Sequence, residues 1–61
     1  MNLSQFENKK VKIITTDDIA YTGIAMDFTP ADENTPGVDS ICIGTNEFFE
    51  FDIKTIEVVK A

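Results

Sequence analysis

The chain contains no histidine, no tryptophan and no arginine, and it has a single cysteine, Cys42. Each absence removes a class of chemistry. Without histidine, Cys42 has no imidazole to lower its pKa or accept its proton, so it reads as a buried or interface thiol rather than a nucleophile. One thiol and no imidazole leave too few soft ligands for a closed zinc site, and one cysteine makes no intrachain disulfide. Without arginine, the planar fork that grips phosphate or guanine is missing. The three glycines, Gly23, Gly37 and Gly44, stand too far apart to cradle a phosphate. No apolar run is long enough for a membrane span, and Met1-Asn-Leu-Ser lacks the basic and hydrophobic regions of a signal peptide. The expectation is a cytoplasmic, non-enzymatic protein with no cofactor, no metal and no membrane partner.

Positive charge is scarce as well. Eleven acidic and five basic residues leave a formal charge of −6, a field that repels phosphate. Three of the lysines, Lys9, Lys10 and Lys12, do stand together; they read as a solvated strand face, with a local anion or RNA contact as the alternative. Asp32, Glu33 and Asp39 gather carboxylates around one loop, but their spacing matches no calcium loop. Tyr21, Phe28 and Phe48 are the aromatics that could stack single-stranded bases; no basic groove accompanies them, and core packing is the expectation.

What the chain does have is alternation. Glu47–Phe51 and Ile56–Val59 are alternating runs joined by Asp52-Ile-Lys-Thr55, a link with room for one helix-like turn between two strands. Upstream, Leu3 and Phe6 lie on one face of a short N-terminal helix, with Asn2 or Ser4 as cap and Glu7 in capping-box spacing from Ser4. Lys9–Thr15 is the first strand, Thr16-Asp-Asp18 a turn, and Ile19–Phe28 a long second strand in which Gly23 permits a sharp bend. Thr29–Gly37 is a loop, Val38–Gly44 the third strand and Thr45-Asn46 the next turn. The expected fold is mainly β: a small five-stranded, strongly bent open barrel with a short N-terminal helix.

Alternation also assigns faces. Val11, Ile13, Ile41, Ile43, Phe49, Phe51, Ile56 and Val58 are expected in the core, joined by Ile19 and Tyr21 or by Ile24, Met26 and Phe28. That leaves Ile14, Phe48, Val59 and Cys42 outward. Phe48 and Val59, on the last two strands, together with Glu50 and Glu57, are the candidate contacts between subunits. A chain this short buries only about 60% of its unfolded surface, and with no disulfide or metal, association is the remaining support.

The residues Lys9-Lys-Val-Lys-Ile-Ile, the acidic turn Asp17-Asp18, Tyr21-Thr-Gly-Ile-Ala-Met-Asp-Phe28 and the closing Phe51-Asp-Ile-Lys-Thr-Ile-Glu-Val-Val59 resemble the Sm and Sm-like proteins, which share the SH3-like bent barrel. The resemblance runs over nearly the whole chain. It implies a ring-forming module in which the fourth strand of one subunit pairs with the fifth strand of its neighbour. It does not bring the family's uridine pocket. Where those proteins place an Arg-Gly or Lys-Gly pair, this chain has Phe51-Asp52-Ile53, and Asn34 lies outside the family's aspartate–asparagine motif. The expected function is therefore a homo-oligomeric interaction or scaffold module that takes a protein partner. An RNA-binding ring is the first alternative, and an acidic regulator imitating nucleic acid the second.

Overall fold

The computed structural model describes residues 2–35 and 37–60; Pro36, in the expected loop, lies outside them. Five antiparallel strands form one sheet: β1 (Lys10–Thr15), β2 (Ala20–Thr29), β3 (Ser40–Ile43), β4 (Asn46–Phe49) and β5 (Ile53–Val58). Their order is β4-β3-β2-β1-β5, so the sheet is not closed and β4 and β5 are its edges. β2 is long enough to serve both halves. It pairs with β1 from Ala20 to Ile24 and with β3 from Ala25 onward.

Gly23 stands at this handover for a steric reason. A Cβ there would lie 2.7 Å from Ile43 Cγ2, so only a residue without a side chain lets β3 fold this closely over β2. Further on, the β2–β3 register shifts between Met26 and Thr29, and Asp27 within that irregularity has φ +56°. A bulge of this kind turns the strand and changes its inward phase. Ala25 is buried before it, and Phe28 packs on the core after it.

The core consists of Leu3, Val11, Ile13, Ala25, Ile41, Phe48 and Ile53, with Phe6, Tyr21, Phe28, Ile43 and Ile56 packed against it. Tyr21 and Phe48 meet edge to face, with ring centroids 4.9 Å apart. Leu3 is buried by a 3-10 turn over Leu3–Phe6 that packs on β2 and β3. The expected capping box does not form. Asn2 makes no side-chain cap bond, and Ser4 Oγ donates instead to Asn2 Oδ1 at 2.6 Å, a local bond that suffices for a turn too short to be an α-helix.

Several expected faces are corrected. Phe48 was expected outward and is buried, whereas Phe51 was expected inward and is 58% exposed. The hairpin decides this. A two-residue turn at Gly44-Thr45 pairs Ile43 with Asn46 and therefore Ile41 with Phe48, and cross-strand partners share a face. The positive φ of Gly44, +59°, suits the first position of such a turn. Phe51 escapes alternation because Glu50–Asp52 is already a 3-10 turn. The closing turn thus ends at Asp52 instead of spanning Asp52-Ile-Lys-Thr55, and β5 starts at Ile53, which is buried opposite Thr15. Ile24 and Met26 are exposed rather than core, since Ala25 between them holds the inward position on β2, and Ile19 is exposed in the turn region before β2.

Candidate functional site

Among the described residues, β4 and β5 each leave one edge of the sheet unpaired. Their backbone phases follow from single hydrogen bonds. The Val59 N–H donates to the Lys10 carbonyl at 2.9 Å. Hydrogen-bonded positions alternate along an antiparallel strand, so Thr55, Glu57 and Val59 turn their backbone groups to β1. Ile56 and Val58, and Lys60 just beyond the strand, turn theirs to the open edge. On the other side the Glu50 N–H donates to the Asp39 carbonyl at 2.9 Å. Asn46 and Phe48 therefore bond to β3, and the free groups of β4 are those of Glu47 and Phe49.

Side chains beside these edges are apolar and incompletely covered. Val58 pairs with Val11 and Ile56 with Ile13, so both lie on the core face. Val11 and Ile13 are fully buried, yet Val58 is 46% exposed because no strand flanks β5. At the other edge Phe49 is half-buried and its ring lies 5.7 Å from that of Phe51, tilted by 31°. Both edges thus present apolar surface next to unpaired backbone groups, the combination that strand addition satisfies.

The residues picked out from the sequence are distributed differently. Phe48 belongs to the core of its own subunit and presents no contact surface. Glu57 lies on β5 and Val59 just beyond it, but their backbone groups face β1, and Glu57 stands opposite Lys12. Glu50 opens the 3-10 turn, half-buried, with its N–H already bonded to Asp39. Beside the free edges, Phe49 and Phe51 are expected in the core and lie outside it, whereas Ile56 packs against the core as expected and Val58 lies on the core face yet is 46% exposed. The signal that turns Phe49 outward is hairpin register, which alternation within one strand does not contain.

Lys9 precedes β1, and Lys10 and Lys12 lie on its outer face, opposite Ile24 and Thr22 on β2. Among the described residues the one ion pair joins Lys54 Nζ to Asp18 Oδ1 at 2.7 Å. It arises at a bulge where Thr15 pairs with Ile53 and Ile14 with Thr55, leaving Lys54 as the extra residue, free to reach the β1–β2 turn. In that turn Thr15 Oγ1 donates to an Asp17 carboxylate oxygen, turn chemistry of the usual Asp and Thr kind.

The loop before β3 is ordered from within. Asn34 Nδ2 donates to the Val38 carbonyl at 2.9 Å and to Ser40 Oγ at 3.0 Å, and Ser40 Oγ donates to Glu47 Oε2 at 3.0 Å. Asp39 Oδ1 accepts from the Ala31 N–H at 2.8 Å, so that carboxylate is spent on the backbone. Asp32 and Glu33 are exposed on a 3-10 turn. Cys42, half-buried on the outer face opposite Met26 and Glu47, has its thiol pKa pushed up by burial first, then by the negative charges of Glu47 and Asp27. Among the described residues, no three His, Cys, Asp or Glu side chains gather as metal ligands, no cavity opens, and no helix is long and apolar enough to cross a membrane. No family model, no curated protein and no solved structure matches the chain.

Proposed function

We propose that this chain is a non-enzymatic, cytoplasmic Sm-like module that self-associates by joining β4 of one copy to β5 of the next, serving as a protein interaction or scaffold unit. One observation carries the reading: β4 and β5, the two ends of the sheet order, each combine unpaired backbone groups with incompletely covered apolar side chains, half-buried Phe49 with the exposed Phe51 of the following turn at one end and Val58 at the other. Addition of β5 to a neighbour's β4 satisfies the backbone of both edges and covers Val58 and Phe51. The contact is heterologous, because different surfaces meet, so repetition gives a ring if the rotation closes and a filament if it does not.

Proline at position 58 tests this cleanly. The Val58 N–H points to the open edge, so Val58→Pro removes a donor that the internal ladder does not use. Sedimentation velocity from low to high micromolar concentration is expected to show oligomers for the native chain. Val58→Pro is expected to be monomeric with its β-sheet circular dichroism retained. A native chain that stays monomeric throughout, or a folded proline variant that assembles as before, refutes the proposal.

A further inference from the structure

We infer that, if copies join in this way, they do so in one register, set by Glu47 of one copy meeting Lys60 of the next, with Phe49 against Val58. The inference rests on the self-association reading and adds to it the residues that specify the joint. Backbone phase limits the choices. Free-edge residues of an antiparallel pair oppose free-edge residues, so Glu47 and Phe49 of β4 face positions drawn from Ile56, Val58 and Lys60 of the neighbour. Partners in such a pair also share a face. The outer face bearing Glu47 and Phe49 therefore continues into the neighbour's core face, where Ile56 and Val58 lie.

Only steps of two residues preserve these rules, and three registers set Glu47 opposite Lys60, Val58 or Ile56. In the first, Glu47 opposes Lys60 and Phe49 opposes Val58, and the run beyond Phe49 brings Phe51 towards Ile56. Opposite charges meet, and the 46%-exposed Val58 is covered by an aromatic ring. In the second, Glu47 opposes Val58 and Phe49 opposes Ile56; a carboxylate then sits on the apolar position and Lys60 has no partner. In the third, Glu47 opposes Ile56 and Phe49 opposes Lys54. That fails at Lys54, which is the extra residue of the β1–β5 bulge and is held by Asp18 at 2.7 Å. The first register alone matches charge to charge and apolar to apolar. Glu47 keeps an oxygen for Lys60, since only Oε2 is engaged by Ser40.

Thiol trapping distinguishes the registers. In a Cys42→Ser background, Glu47→Cys chains are mixed with equal amounts of Lys60→Cys, Val58→Cys or Ile56→Cys chains and oxidised with oxidised glutathione, which takes up the electrons of the two thiols. Directly opposed residues of a hydrogen-bonded pair lie about 5.5 Å apart at Cα, within the roughly 4.4–6.8 Å span of a disulfide. The expected result is a heterodimer yield at least several-fold higher with Lys60→Cys than with the other two. A Val58→Cys or Ile56→Cys mixture that equals or exceeds it overturns the register and leaves the strand joint standing. No cross-link in any mixture, with association still seen by sedimentation, overturns both. Charge reversal is the independent arm: Glu47→Lys and Lys60→Glu are each expected to weaken association at low salt by about two- to five-fold, and the double reversal to restore it. Singles without effect, or a double variant that stays as weak as the singles, contradict the ion pair.

Discussion

Ile43 lies so close over Gly23 that a Cβ at position 23 would stand 2.7 Å from its Cγ2. The contact joins the β1–β2 half of the sheet to the β3–β4 half at the point where β2 changes partner. Cγ2 is attached directly to a branched Cβ, so it has little freedom to move aside. Gly23→Ala is expected to cost about 1–3 kcal/mol through overpacking. In an Ile43→Ala background, which removes that methyl, the same substitution should cost much less. Urea denaturation of the four chains of this cycle gives the coupling, and additive costs would show that the contact is not what selects glycine.

Phe48 and Phe51 are three positions apart and should behave oppositely. Phe48→Ala empties a buried site against Tyr21 and is expected to cost about 3–5 kcal/mol, enough to unfold a domain of this size. Phe51→Ser, at a 58%-exposed position, should change monomer stability by no more than about 0.5–1 kcal/mol while weakening self-association. Thermal unfolding and sedimentation on the same samples separate the two effects. Equal destabilisation would place both rings in the core.

Asn34 holds the loop before β3 through bonds to Val38 and Ser40. Asn34→Ala leaves these acceptors without their donor and is expected to cost about 1–3 kcal/mol. Limited proteolysis should show earlier cleavage within residues 30–39, and an unchanged digestion pattern would mean that the loop is held by other contacts.

Cys42 provides a pH prediction with a defined sign. Its folded pKa is raised, first by burial and then by Glu47 and Asp27. The folded state therefore favours the protonated thiol. The resulting stability is present below the pKa of the unfolded thiol and is lost as pH rises through the folded value. Thiolate absorbance should titrate at higher pH in the native chain than in urea. Glu47→Gln and Asp27→Asn should each lower the native midpoint, and asparagine also tolerates the positive φ at position 27. Coincident native and denatured titrations would contradict the assignment.

Much of the architecture was legible from local pattern. Alternation, two turn-rich segments and a central glycine marked five strands and a bend, because strand period and turn chemistry are properties of neighbouring residues. The inward set on β4 was harder, since Phe48 competes with Phe49 and Phe51 and alternation alone does not rank them. The hairpin contains the missing rule. A two-residue turn, whether at Gly44-Thr45 or one residue later, places Phe48 opposite an isoleucine of β3.

By itself, then, the sequence determined a small acidic β domain and the absence of imidazole and guanidinium from its chemistry. Which surface is left to act was decided only by the tertiary structure. Val58 is on the core face in any reading, yet it is 46% exposed because β5 ends the sheet. Glu57 and Val59 are close to the edge in sequence, but their backbone groups are consumed by β1. Edge position and hydrogen-bond phase depend on which strands pair across long stretches of chain, and no local pattern of side chains encodes them.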